Sequence, residues 1–576
     1  MRQRRTILAA VAAGAVLLVL GRAFAHVYTE FAWYSALGAT SLWREWLADT
    51  VILHTVAFVT AGAFALANFS AVRHSILSLV LPRRLANVEF AEAVPPRRLD
   101  WAAIVLALLV GLAATAAVPP WTSLAMVRAR PQFRETDPYH QLDLGFYTSW
   151  LPFEMQLHRW AWIVVLVTTL AVAGLYALTP GLRWENGMVR MTTYVRRHLS
   201  TLAAVILLML AWRARLTSHT LLFDGSGPGG AFTEVDHRWL LPANVILSIG
   251  TIAAAALFLW SAWSRQIALS FTALSVVLVL WLGMRQLLPL LVRSPPPATR
   301  AAAVSDAPYA ATREAFTRRA FDFGDGSTPA EREQPGAAIA RAPEVVRLTA
   351  MAHVAPGARG YLVVGGSPGA AAPRLDGALS RVAHAWVEQD SRLLSGDLPA
   401  RPGILRVRDV AHRVHRLAPV FAQGSRPAAM FRADTLYWMT DLYAASATYP
   451  LSRRYNVAGE RRGYFRHAAT AFTHATTGAV TILMDPAPDP IARAWQARFP
   501  DVYRRHSAAT AWVEELALSP NLPVPPASAA DSVFRARVRQ LYLRMRGALS
   551  ASDLAAFGVA FDSLGMLLRA PDTTGQ

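Results

Sequence analysis

Apolar residues fall into long runs before residue 293, whereas charges and prolines spread evenly after it. Runs able to cross a hydrocarbon core about 30 Å thick occupy residues 47–67, 101–119, 160–178, 198–212, 240–263 and 268–292. A further run follows Arg2, Arg4 and Arg5, which brings the prediction to about seven spans. That first run ends in Ala23-Phe24-Ala25, a small-residue pattern like a signal-peptide cleavage site. An uncleaved span is favoured, because Arg22 interrupts the end of the run and further membrane segments follow at once. Tryptophans 101, 121, 160, 162, 212 and 239 stand where spans meet water, as expected of a ring with an apolar body and one polar donor.

After Ser294-Pro295-Pro296-Pro297, a stiff linker, the periodicity alternates between helical and extended. Residues 378–394 and 408–421 read as helices, with Val382, Trp386 and Val387 on one face of the first. Residues 360–364, 428–443, 464–474 and 479–484 read as strands, the last two joined at Thr476-Thr477-Gly478. Two more helices are expected at 531–549 and 553–568. The expected architecture is an α-helical transmembrane bundle over residues 1–293 followed by an α+β soluble domain over 294–576.

Loops after the second and fourth spans carry Arg73, Arg83, Arg84, Arg97, Arg98, Arg183, Arg190, Arg196 and Arg197, which assigns them to the cytoplasm. An odd number of spans then puts the soluble domain outside, as part of the cell envelope. Arg128, Arg130, Arg134, Arg213, Arg215 and Arg238 run against this bias. The net charge of +19 invites a nucleic-acid partner, but the chain has no lysine, so the excess reflects arginine usage throughout rather than a phosphate-binding surface. The lipid bilayer is the partner the sequence demands, and an envelope polymer, a lipid or another protein is the further candidate. Without cysteine there is no disulfide and no thiolate chemistry; without lysine there is no P-loop and no Schiff base.

Several patterns suggest chemistry and then lose it. Gly365-Gly366-Ser367-Pro368-Gly369 matches a nucleophile elbow, yet Pro368 has no N–H for an oxyanion, so the stretch reads as a turn. The glycines of 225–230 lack the lysine of a phosphate cradle. His412 and His415 share a helix with no carboxylate between them, and His467 and His474 are an odd number of residues apart on one strand, hence on opposite faces. Asp489 before Pro490 reads as a helix N-cap, while Asp485 is a candidate site residue. Asp49 and His54 lie in the second span, where ionisable groups mark function by default; Asp49 is expected to reach water and His54 to bond a neighbouring helix. No metal site and no cofactor are expected.

Taken in order, other stretches resemble a group of large bacterial membrane proteins, uncharacterised protein family 0182. These are Trp33-Tyr34-Ser35-Ala36-Leu37-Gly38, the run from Asp137 through Tyr139, Asp143 and Tyr147 to Phe153, and Gly230 to Val235. Ala307-Pro308-Tyr309 with Thr312 to Phe316, the run from Leu436 through Asp441 to Tyr443, Tyr449 to Ser452, residues 485–500 and Leu554 to Gly558 complete the set. The resemblance implies about seven spans and a large extracytoplasmic domain, shortened here between residues 505 and 528, and it implies no activity. It adds Asp137, Tyr139, Asp143, Tyr147, Arg313, Asp441 and Tyr443 to the candidate residues. Asp137 and Asp143 are expected to order their loop against the soluble domain through arginine pairing, and Arg313 to find a structural partner there. The sequence thus favours a binding or scaffolding role; the alternative is a transporter or envelope-lipid enzyme working where bundle and soluble domain meet.

Overall fold

A computed structural model describes residues 2–78, 96–179, 182–185, 188–264, 267–283, 300–321 and 352–505, with short breaks in the last range, a two-strand turn near 84–89 and scattered helical positions after 540. The linker at 294–297 and most of the two predicted C-terminal helices lie outside the described residues. The membrane-facing part comprises α1 (Arg2–Ala36), α2 (Thr40–Ser78), α3 (Pro96–Thr115), a short α4 (Trp121–Ala129), α5 (Leu151–Ala177), α6 (Thr193–Thr220), α7 (Leu241–Ser264) and α8 (Ile267–Leu282). Single turns of π-helix, Phe146–Trp150 and Asp236–Leu240, lead into α5 and α7. Among the described residues six helices are long and apolar enough to cross a membrane; the expected seventh is represented by the 16 residues of α8, and the rest of its run is not described. Two short hairpins, β1 (Arg84–Leu85) with β2 (Val88–Glu89) and β3 (Leu182–Glu185) with β4 (Met188–Met191), join spans.

The bundle packs as membrane helices do, by close approach of small residues rather than by excluding water. Along α3, Ala103, Ala107, Gly111 and Ala114 form the buried stripe, facing Ala57, Ala61 and Ala65 of α2. A β-carbon on Gly111 would stand 2.9 Å from the carbonyl of Phe58. The other helix faces are left for lipid: Leu17 to Leu20 of α1 are all at least 60% exposed.

The remaining part begins with α9 (Arg300–Phe321) and builds around an antiparallel sheet. A small ladder pairs β5 (Leu362–Gly365) with β6 (Pro402–Leu405). The main sheet contains β7 (Ala422–Gln423), β8 (Ala428–Arg432), the long β9 (Thr435–Ser446), β12 (Tyr464–His474), β13 (Val480–Met484) and β14 (Tyr503–Arg504), in the order β14-β13-β12-β9-β7 with β8 also on β9; only β13 and β14 run parallel. A side hairpin, β10 (Tyr455–Val457) with β11 (Glu460–Arg462), projects before β12. Helices α10 (Ala378–Glu388), α11 (Val410–Leu417) and α12 (Pro490–Arg498) flank it. The strand, turn and helix positions expected from periodicity are therefore present, with Gly478 at φ +72° closing the β12–β13 turn and Asp489 capping α12 through the Ala492 amide at 2.7 Å. The apolar face expected for α10 is different: Ser380, Ala383 and His384 are its buried side, Val382 is 48% exposed, and Trp386 leans on Gly21 of α1.

Alternation along β9 is strict. Leu436, Trp438, Leu442 and Ala444 face a core that also contains Trp33, Leu42, Leu144 and Leu222 of the bundle. One apolar core thus runs from the membrane helices into the sheet.

Within this core Arg413 of α11 is fully buried. The helix pattern around His412 and His415 reads as a solvated face, and both histidines are exposed, but Arg413 turns inward because four backbone carbonyls converge on it. It donates to Gly478 (2.7 Å), Arg406 (2.9 Å), Val407 (2.9 Å) and Ala371 (3.2 Å), knitting β6, α11 and the β12–β13 turn together. Burial lowers its pKa to about 10, so the guanidinium stays charged at neutral pH. Replacement by methionine, Arg413→Met, strands four buried carbonyls and is expected to cost about 3 kcal/mol or more in the unfolding of the detergent-solubilised chain. A loss below about 1 kcal/mol would show that these carbonyls find other donors.

Candidate functional site

The candidate residues separate into three places. On the sheet, Asp441 and Tyr443 project from β9 on the side opposite the shared core, and Asp485 follows β13. All three converge on His467 of β12, a residue that strand alternation alone assigns elsewhere. The pairing of β12 with β9 slips between His467 and Ala469, where a β-bulge inserts one extra residue. His467 therefore stands opposite Tyr443, and His474 opposite Tyr437, which puts both histidines on one face of the sheet rather than on two. They remain seven positions apart and share nothing.

The imidazole Nδ1 of His467 lies 2.9 and 3.0 Å from the two carboxylate oxygens of Asp485, and its Nε2 lies 3.5 Å from Asp441. The Tyr443 ring stands edge-on to the imidazole at 5.3 Å and stacks on Phe465 at 4.3 Å. Burial opposes the charged imidazole, but the hydrogen bonds and charges of Asp441 and Asp485 outweigh it and raise its pKa from 6.5 to about 9. At neutral pH the group is an imidazolium clamped between two carboxylates, with a net charge of −1. Both ring nitrogens are donors in that state, so neither is free to take up a proton or ligate a metal. Among the described residues no three His, Asp or Glu side chains are arranged to hold a metal ion.

The second place is the junction of bundle and sheet. Asp137, fully buried, accepts hydrogen bonds from the amides of Tyr139 (2.9 Å), His140 (2.6 Å) and Leu142 (3.0 Å) and from the Tyr147 hydroxyl (3.0 Å). Asp143 accepts from the amides of Phe133, Arg134 and Gly145. Among the described residues the expected arginine pairing is absent from both: the tight turns present their own amides, which together with the Tyr147 hydroxyl occupy the carboxylates. Tyr139 packs on Phe232, His237 and Tyr309 at 4.5, 4.8 and 6.4 Å between ring centres, and burial with the charges of Tyr309 and Asp137 pushes its hydroxyl up to about 12. Arg313 of α9 has the expected structural partner, donating to the carbonyls of Gly229 (2.9 Å) and Pro228 (3.4 Å) in the glycine loop, where Gly229 takes φ +63°. The 448–454 segment completes the seam. Its Thr448 hydroxyl donates to the Tyr147 carbonyl (2.6 Å), the Leu451 amide to the Leu222 carbonyl (2.7 Å), and Arg454 pairs with Asp224.

The third place is α2. Asp49 does not reach water as expected; it is fully buried and paired with Arg128 of the neighbouring α4 segment, beside Glu45, which binds Arg498 of α12. His54 is exposed on the outer helix surface and bonds the Thr50 carbonyl of its own helix at 2.8 Å, rather than a neighbouring helix. Further acids of the candidate spans, Glu30 and Glu154 among them, carry no local mark in the sequence. Glu30 of α1 pairs with Arg416 and lies 3.5 Å from Arg406, and Glu154 of α5 accepts from Trp150 (3.0 Å), Trp212 (2.9 Å) and Arg215. Acid-to-arginine matching between spans and later segments was the available signal.

No solved structure matches this chain. Relatives described as UPF0182 proteins are 29% identical over 324 residues in Micrococcus luteus, 27% over 344 residues in a Nocardioides species and 26% over 329 residues in Mycobacterium tuberculosis. These alignments take in 55 or 56% of this chain and 30 to 33% of each relative, so the chain spans about a third of the length of the curated relatives it matches. Uncharacterised protein family (UPF0182) matches residues 6–341 and 367–515, most of the sequence, and the chain belongs to that family.

Proposed function

We propose that this protein is an envelope component in which the bundle, through residue 293, anchors an extracytoplasmic sheet domain, residue 294 onward, that binds a donor-rich partner. The observation that carries this reading is the single apolar core shared by the span residues Trp33 and Leu42, Trp438 of the sheet and Trp495 of the flanking α12. Such a core holds the sheet as a fixed platform against the bundle. The ligand-facing feature is the Asp441–His467–Asp485 group. Its carboxylates supply acceptors beside the Tyr443 ring, which suits a hydroxyl- or ammonium-bearing envelope polymer or protein segment. Its imidazolium fixes the spacing of the acids instead of shuttling protons. The junction acids Asp137 and Asp143 are occupied by backbone amides, which favours binding over a reaction at the seam.

The chain contains no cysteine, so single cysteines report location directly. With a membrane-impermeant thiol reagent on intact cells, Asp397→Cys and Asn456→Cys are expected to label while Thr193→Cys does not; the reverse pattern overturns the extracytoplasmic placement. For binding, the Asp441→Asn, Asp485→Asn double variant is expected to lose cosedimentation with isolated cell-wall material, and undiminished cosedimentation would move the binding surface elsewhere. Because the pKa of His467 is raised on folding from 6.5 to about 9, its contribution to stability is complete below pH 6.5 and is lost as pH rises through 9. The melting temperature gap between the native chain and His467→Gln should therefore be widest near pH 6 and close above pH 9. A gap independent of pH would contradict the clamped imidazolium.

A further inference from the structure

A cleft of about 830 Å³ opens between α5, α6, α7 and α8, away from the sheet site and touching the seam only at Asp224. On α6 its wall runs from Leu207 to Thr220, about 20 Å of helix. Leu207, Leu247, Val277 and Leu278 make it apolar, and the polar groups within it are already engaged on the protein. Asn244 donates to the Leu240 carbonyl (2.8 Å), Thr251 to the Leu247 carbonyl (2.6 Å), and His158 meets the Met209 carbonyl (3.1 Å). Asp224, at the mouth, is paired with Arg454.

Arg213 is different. Of the arginines that run against the positive-inside bias, Arg128, Arg215 and Arg238 each pair with an acid, Asp49, Glu154 and Glu234 respectively, and Arg130 and Arg134 lie away from the cleft beside Asp143. Arg213 lines the cleft, is exposed, and has no carboxylate within ion-pair distance among the described residues. The 28 residues of α6 make about 42 Å of helix, and Arg213 lies about 10 Å from its midpoint, near the edge of a hydrocarbon core about 30 Å thick. An apolar trough as long as an acyl chain, with one uncompensated cation at headgroup depth, has the charge and shape pattern of an amphiphile site.

We propose that this cleft binds one anionic phospholipid, its acyl chains lying along α6 to α8 and its phosphate on Arg213. The inference needs the bundle to lie in a bilayer and is independent of which side the sheet occupies, so it stands or falls apart from the topology.

The test is native mass spectrometry of the full chain from mixed micelles containing phosphatidylglycerol or phosphatidylcholine. One phosphatidylglycerol is expected to be retained in preference to phosphatidylcholine. Arg213→Gln is expected to reduce that preference by roughly fivefold, while Arg213→Lys and Arg238→Gln keep it. Leu247→Trp, which narrows the trough and leaves the cation, is expected to lower retention of the lipid and carries the test if Arg213→Gln does not fold. Equal retention of the two lipids by the native chain, an unchanged preference in Arg213→Gln, or displacement by glycerol phosphate without acyl chains would overturn the proposal.

Discussion

A charge buried between an apolar bundle and an apolar sheet has no water to solvate it, and the structure is organised by that constraint. Each buried acid at the junction is matched within the chain. Glu30 takes Arg416, Asp49 takes Arg128, Glu154 takes Arg215 and two indole donors, and Asp137 and Asp236 take backbone amides and hydroxyls. The Glu30–Arg416 match crosses from a span to a segment hundreds of positions away, as does the pair of Glu45 with Arg498, so α1 and α2 are tied directly to the segments that flank the sheet. Two of the arginines that run against the positive-inside bias, Arg128 and Arg215, are the partners these acids require.

The glycine loop at 225–230 shows how backbone conformation serves the same end. Positive φ at Gly229 and Gly230 turns the chain tightly, a β-carbon at Gly225 would meet the Ala231 carbonyl at 2.4 Å, and Arg313 closes on the carbonyls of Pro228 and Gly229. What resembles a phosphate cradle by its glycines is a receptacle for an arginine of the same chain.

Much of the fold was legible from the sequence because its signals are local. Apolar runs locate the spans, period-two alternation locates β9, and Asp489-Pro490 marks the start of α12. The site was legible in part. Asp441, Tyr443 and Asp485 were identified, but their meeting point was not, since His467 joins them only through a one-residue slip in strand pairing that no alternation rule anticipates. The inward turn of Arg413 was hidden for a related reason: four carbonyls from three segments draw it in, and none of them is visible in the helix periodicity. Asp49 and His54 carried the same signal of an ionisable group in a span, and only the fold distinguishes a buried ion pair from a side chain on the outer surface.

The bulge at His467–Ala469 also bears on how relatives are compared. Upstream of it, the side chains facing Tyr443 and Ala445 sit at odd positions of β12; downstream, those facing Asp441 and Met439 sit at even ones. A relative lacking that one extra residue would place a different side chain beside the two aspartates even where the strand residues on either side of the gap still align. Homologous positions in this strand are therefore defined by phase across the slip, and an insertion or deletion of a single codon there changes the chemistry of the face more than most substitutions can.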